Sequence, residues 1–508
     1  MLSYLASGKS VEAPMPTLWK NSLWSAAAAA SLMVPKFMAS AMVARILGPQ
    51  MAGDAAYLLW VADFAIVAVG FGIPSAVTRF SAMLRGSAGP NGATHLERVL
   101  VRAYIRLVLM GGILLFACKR WWMPPNLPTG SSEALLAYFF LQSLAVYNLA
   151  RFGGEERFQA LAKISAVSGT ISVVAAIVGA YWYHIPGALT GYAVGAAVLG
   201  GRAILAALPR ARSSEKLSRG LITELCSYCR YAWISAILAG VVWARVEIFF
   251  LERFRTNTDV AFFSVGATLA ATATQAPLLL CGALTPHFAR NFGLQNDDGL
   301  RSDYIKSTRL LATVLFPSAF CWAACAPTII KILYGPAFVS AIPTAMVQVA
   351  LACIVALITP ASALLYASGR PAFHVAVNAP IALACILVSR ISIGTWGVWG
   401  AVWQRAACQL TVAVLTVAYV HGRLGFRFPI WDCMRLLLAA SVPGIPLLLV
   451  SPHLGPAAVV VATAMSLLGY LFAMNLVAKS SAEQMIAITR RFITESALQF
   501  VGRAGDRV

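Results

Sequence analysis

"SLMVPKFMASAMVARILGPQMAGDAAYLLWVADFAIVAVG" occupies residues 31–70. Two apolar runs flank a short turn, "ILGPQMAG" (46–53), that carries glycine, proline and little bulk. Each run belongs to a stretch long enough to cross a bilayer, which takes about 20 residues. The segment therefore predicts an antiparallel transmembrane hairpin, with spans at 21–45 and 55–79. That reading places Lys36 and Asp63 in hydrocarbon, where a charge costs a few kcal/mol or more. Lys36 lies ten residues before the turn and Asp63 ten after it. At about 1.5 Å per residue both sit some 15 Å from the turn, at matched depth on neighbouring helices. They either neutralise each other or face a cavity, and Pro35 fits both because a kink can open a helix toward a cavity.

The whole chain follows the hairpin. Of 508 residues, 59% are hydrophobic and 11% charged. The mean hydropathy is +0.76. This excludes an ordinary soluble domain, and long continuous apolar runs exclude a barrel of alternating strands. About fourteen such runs are expected, so the chain is an all-α polytopic membrane protein. The net charge of +20 suggests nucleic acid in a soluble protein. Here the basic residues gather between apolar runs, so topology and anionic lipid account for most of them and no nucleic-acid partner is expected. Basic loops alternate along the chain, at Arg85 and Arg98, Arg151 to Lys163, Arg210 to Arg219, Arg290 to Arg309, and Arg423 to Arg435. By the positive-inside rule these loops and both termini are cytoplasmic. Lys119 and Arg120 fall on the other side, beside Trp121 and Trp122 at a headgroup boundary.

The chain also reads as duplicated. "ARILGPQMAGDAAY" (44–57) and "ERFRTNTDVAFFSV" (252–265) follow the opening span of each half. Pro74 and Pro277, and "IPGALTGYAVG" and "GTWGVWGAVW", recur at similar offsets. Two six-helix lobes are implied, arranged as parallel repeats because each holds an even number of spans. The expected organisation is an N-terminus at 1–20, an N-lobe at 21–208, a cytoplasmic linker at 209–227 and a C-lobe at 228–420. Two further spans fill 421–478, and a cytoplasmic amphipathic tail runs from 479 to 508. Ser480 and Glu483 have capping-box spacing at the start of that tail.

At this point the sequence resembles a known family. "ARILGPQMAGDAAYLLWVADFAIVAVGFGIPSAVTRF" resembles the opening hairpin of polysaccharide-transporter proteins, the oligosaccharide flippases. Arg45, Leu47, Gly48, Pro49 and Gly53 match the turn of that family, with the aromatic displaced to Tyr57. "KILYGPAFVSAIP" (331–343), "LLYASGRPAFHVAVNAP" and "WGVWGAVW" resemble later parts of it. The superfamily also holds multidrug exporters and lipid II flippases. The resemblance implies two lobes around a cavity that opens alternately to each side. It also implies a polyprenyl-diphosphate oligosaccharide as cargo, a bacterial inner-membrane location and a polysaccharide polymerase as a working partner.

Five residues are candidates for the cavity. Lys36 and Asp63 come from the first hairpin. Arg245 lies ten residues before Arg255 and is the repeat counterpart of Lys36, without an acid at the place matching Asp63. Glu247 stands two residues from Arg245, on a different face of a continuous helix. Arg106 and Arg405 complete the set, Arg106 near a span end where it could simply reach for the interface. Arginine suits a phosphate oxygen pair and lysine acts as a point charge. Gly187, Gly191 and Gly195 have the spacing of close helix packing. Trp396, Trp399 and Trp403 form a stripe at a membrane end, read as anchoring or packing ahead of sugar stacking. The lone CxxC at Cys226 and Cys229, and the scattered His184, His287 and His374, suggest no metal. No nucleotide-binding loop occurs, so no cofactor, metal site or catalytic residue is expected. A cation-coupled exporter of the same architecture would favour acids in its cavity. A membrane polymerase or ligase would need a sizeable outer loop, and the loops on that side are short.

Overall fold

The computed structural model describes residues 15–87, 89–155, 157–207, 219–279, 284–293, 297–370 and 372–477. The expected tail at 479–508 and most of the expected linker lie outside them. Among the described residues every regular element is helical. The N-terminal half contains α1 (Met15–Val69), α2 (Ile73–Ser87), α3 (Gly89–Ala117), α4 (Lys119–Trp122), α5 (Ser131–Gly154) and α6 (Phe158–Ala207). The second half contains α7 (Arg219–Val242), α8 (Glu247–Phe254), α9 (Asn257–Leu279), α10 (Leu284–Gly293), α11 (Asp297–Ile329), α12 (Ile342–Ala356), α13 (Thr359–Ala367) and α14 (Ala372–Leu424). Helices α15 (Ile430–Val450) and α16 (Pro456–Val477) follow.

Among the described residues ten stretches are long and apolar enough to cross a membrane. Three of them reverse direction, α1 at Gly48, α6 at Tyr183 and His184, and α14 at Gly397. Gly48 and Gly397 have positive φ, 73° and 56°, which glycine adopts without a Cβ clash. The limbs of α6 touch closely. A Cβ on Gly187 would lie 1.9 Å from the Gly179 carbonyl oxygen, and Gly191 and Gly195 press on Ala176 and Ser172 in the same way. Inside the α14 hairpin the Gln404 side-chain amide donates to the Cys385 carbonyl at 2.9 Å. Counting both limbs of these three adds three passes, and α9 adds one, which brings ten to the expected fourteen.

Two expected spans are not continuous. The second breaks at residues 70–72, where a Cβ on Gly72 would meet the Cys229 carbonyl oxygen of α7 at 2.3 Å. The seventh, expected at 228–251, breaks at residues 243–246 between α7 and α8. Within the described residues, 219–227 of the expected linker are helical, in α7.

The duplication appears in side-chain contacts at the end opposite Gly48. Arg85 and Arg151 clamp Glu97 and Glu155, with N–O distances of 2.8 to 3.0 Å. Asn291 and His287 hold Asp303 at 2.8 Å. Asn291 and Asp303 stand 206 positions after Arg85 and Glu97. The last two helices lean on α11. Tyr470 donates to the Thr313 carbonyl at 3.0 Å, and Arg309 pairs with Asp432.

At the Gly48 end the lobes meet through small residues. Gly53 presses on the Asn257 backbone of α9, and Asn257 donates to Asp54 at 2.6 Å. Arg45 reaches the Ile332 carbonyl of the second lobe. Ala41, Ala44, Leu47, Ala52, Val260 and Ala261 are buried in one core that spans both lobes. The lobes are thus in contact at this end, with a space between them on the other side of these contacts.

Candidate binding cavity between the lobes

That space is a cavity of about 860 Å³. It is lined from both lobes, by both limbs of α1, by α9, by α12 and by the second limb of α14. Its size suits a large ligand group, since small-molecule sites run to about 1,000 Å³. Helix α9 contributes Thr268, Thr272, Thr274 and Gln275 to the wall.

Lys36 and Asp63 face each other across the first hairpin, 4.0 Å apart, with side chains 70% and 47% exposed. Both line the cavity. The Tyr138 hydroxyl donates to Asp63 at 3.1 Å and fixes the carboxylate. Lys36 thus has a neighbouring opposite charge and an open space beside it.

Arg245 sits inside the break of residues 243–246, with φ of 44°. Non-glycine residues rarely take positive φ, and where they persist the surroundings hold them there. Here the freed carbonyls find donors. Arg405 donates to the Trp243 carbonyl at 3.1 Å, and the Trp60 indole donates to the Ala244 carbonyl at 3.4 Å. Broken backbone at membrane depth is tolerated where it lines a cavity and its polar groups are satisfied. Arg245 lines the cavity, and among the described residues no carboxylate lies within 4.0 Å of it.

Arg405 also lines the cavity but has a partner. Glu247, almost fully buried, lies 3.7 Å from it. The sequence reading set Glu247 on a different face from Arg245, and the break turns it toward α14. Among the described residues Lys36, Arg245, Arg405 and Asp63 line the cavity, Glu247 stands behind Arg405, and pairing leaves Arg245 without an acid in contact. Arg106 does not belong to this set. It is exposed on α3 and absent from the cavity wall, because α3 turns that face outward.

Sequence reasoning missed Trp60, which stacks on Phe64 at 5.5 Å and on Phe249 of the other lobe at 6.0 Å. It also missed Gln348, a buried amide at the wall whose oxygen has no partner among the described residues. Trp60 carried one available signal, a helical spacing of three from Asp63.

Residues 125–343 match a family model described as polysaccharide biosynthesis protein. No curated protein sequence matches the chain. Among solved structures, the lipid II flippase MurJ in an inward closed conformation is 12% identical, with a TM-score of 0.68, over 89% of this chain and 98% of that one. An inward-facing multidrug resistance MATE transporter is 13% identical, with a TM-score of 0.65, over 78% and 94%. A MOP superfamily transporter from Pyrococcus furiosus, described as having a binding pocket of reverse polarity, is 14% identical with a TM-score of 0.58, over 80% and 94%. These likenesses agree with the resemblance carried by the Gly48 hairpin. The chain is a multi-pass membrane protein with the fold of MurJ and MATE transporters of the MOP superfamily, and its residues 125–343 match the polysaccharide biosynthesis family.

Proposed function

We propose that this protein flips a polyprenyl-diphosphate oligosaccharide, in bacteria undecaprenyl-linked, from the cytoplasmic to the periplasmic leaflet by alternating access. The observation that carries the reading is Arg245, a cation with no contacting acid among the described residues, held on broken backbone at the wall of a cavity shared by both lobes. Such a charge is costly at this depth unless water or an anion meets it. A diphosphate presents charged oxygens to a guanidinium fork, and charge-assisted bonds of that kind are about twice as strong as neutral ones. Lys36 supplies a second charge from the opposite lobe and Arg405 a third. Asp63 and Tyr138 orient Lys36. In this assignment the Gly48 end is periplasmic and closed, so the cavity is set to receive cargo from the cytoplasmic side. No bond is made or broken, and the protein acts as a transporter.

A cation-coupled multidrug exporter shares the fold, and Asp63 beside Trp60 is the feature that favours it. Transport in proteoliposomes separates the two. The flippase reading expects translocation of a fluorescent polyprenyl-diphosphate oligosaccharide, greatly reduced in Arg245→Ala and partly kept in Arg245→Lys. Translocation of a lipophilic cation, abolished by Asp63→Asn and indifferent to Arg245→Ala, overturns it.

A further inference from the structure

A second recess of about 380 Å³ opens in the C-lobe beside the Gly397 turn. Arg255, Asp259, Thr344, Thr395, Trp396 and Trp399 carry its chemistry. It lies directly over the central cavity. Thr344 and Val398 line the recess, while Gln348 and Val402, four residues further along the same helices, line the cavity. Residues spaced by four share a helix face, so one turn of about 5.4 Å separates the two spaces.

The polar groups of the recess are held in place. Arg255 donates through Nε to the Ile393 carbonyl at 2.9 Å and through Nη2 to the Gly394 carbonyl. Its Nη1 has no partner among the described residues. One oxygen of Asp259 accepts from the Thr256 backbone, and the other has no partner among the described residues. The recess thus offers a fixed donor, a fixed acceptor, the Thr395 hydroxyl and two indoles, exposed by 68% at Trp396 and 39% at Trp399. An anion would meet Asp259, and a cation would meet Arg255. An apolar ligand would leave both unpaired, at a cost. A neutral polyol fits, because its hydroxyls both donate and accept while its C–H face packs on indole. Anchoring at the membrane interface suits Trp403, which is 52% exposed and lies outside the recess.

We propose that this recess is a glycan subsite, which takes sugar rings of the cargo as they leave the central cavity. The proposal rests on the reading that the cargo carries sugars, and its test stands apart from the transport test. Wild-type protein in nanodiscs is titrated with free trisaccharides of glucose, galactose and N-acetylglucosamine, and binding is read by saturation-transfer difference NMR. At least one trisaccharide is expected to bind. Trp399→Ala should weaken it about tenfold or more, the scale of losing an aromatic contact together with its packing. Trp399→Phe should retain most of the binding, and Trp403→Ala and Arg245→Ala should leave it unchanged. Binding of none of the three overturns the proposal. So does binding that Arg245→Ala removes and Trp399→Ala spares, or equal losses in Trp399→Ala and Trp403→Ala. A wild type that flips lipid-linked cargo but binds no trisaccharide refutes the recess alone. One that binds in the recess while Arg245→Ala flips normally refutes the central-cavity reading alone.

Discussion

At Gly53 the two lobes approach closely at the Gly48 end, and one methyl group there should prevent closure. A Cβ would lie 1.7 Å from the Asn257 carbonyl oxygen and 2.5 Å from its carbon. Both are backbone atoms, so no side-chain rotation relieves the clash. Reaching ordinary contact at 3.4 Å requires α1 and α9 to separate by roughly 1.7 Å. The same motion draws Asn257 away from Asp54, now 2.6 Å distant, and breaks that bond. A hydrogen bond to a charged group contributes about 1.5–3 kcal/mol. Its loss moves the closed–open equilibrium roughly 10- to 150-fold toward open. The assay is double electron–electron resonance between spin labels at exposed Gln50 and Thr256, in a cysteine-replaced background. Gly53→Ala should lengthen the distance and reduce transport, and Gly53→Leu should do so further. A distance distribution and transport rate equal to wild type in Gly53→Ala would show that this contact does not set closure.

Three further outcomes follow from the packing. On the proposed role of Lys36 as a cargo contact, replacing Lys36 and Asp63 together by leucine should abolish flipping as fully as Lys36→Ala; recovery in the double variant would reduce the pair to mutual neutralisation. Glu247→Ala removes the 3.7 Å partner of Arg405 and leaves two arginines facing one another. Stability should fall by about 3–5 kcal/mol, with partial recovery in Glu247→Ala/Arg405→Met, and an unchanged melting temperature would contradict the pairing. Gly191→Leu should abolish folded protein, since a Cβ there meets the Ala176 backbone nitrogen at 2.3 Å, whereas Gly201→Ala has nothing within 4 Å and should be silent; membrane yield and size-exclusion profiles read both.

The parts of the site that were legible in the sequence depend on counting along one helix. Lys36 and Asp63 are ten residues either side of a turn, and a fixed rise per residue puts them at one depth. The small-residue spacing of Gly187, Gly191 and Gly195 likewise needs no partner to be read. What escaped depends on direction or on distant chain. Arg106 interrupts an apolar run near a span end, but composition does not say which way α3 faces. The break at 243–246 reads "WARV", without glycine or proline, so no local signal marks it. It is stabilised by donors from Trp60 and Arg405, which are remote in sequence. Sequence reasoning set Glu247 apart from Arg245 but had no means of finding its partner Arg405, which stands 158 positions further along the chain. The break at 70–72 could have been read, since "GFG" carries two glycines.

The central claim is that Arg245 grips a diphosphate from the cavity wall, and equilibrium binding tests it most directly. Polyprenyl diphosphate and polyprenyl alcohol of equal chain length are titrated into protein in nanodiscs, as wild type, Arg245→Ala and Arg106→Ala. A charge-assisted bond left unmade costs about 1.5–3 kcal/mol, which is roughly 10- to 150-fold in affinity. The account predicts that Arg245→Ala loses diphosphate affinity on that scale, that Arg106→Ala matches wild type, and that the alcohol binds all three alike. Equal diphosphate affinity for Arg245→Ala and wild type would contradict it.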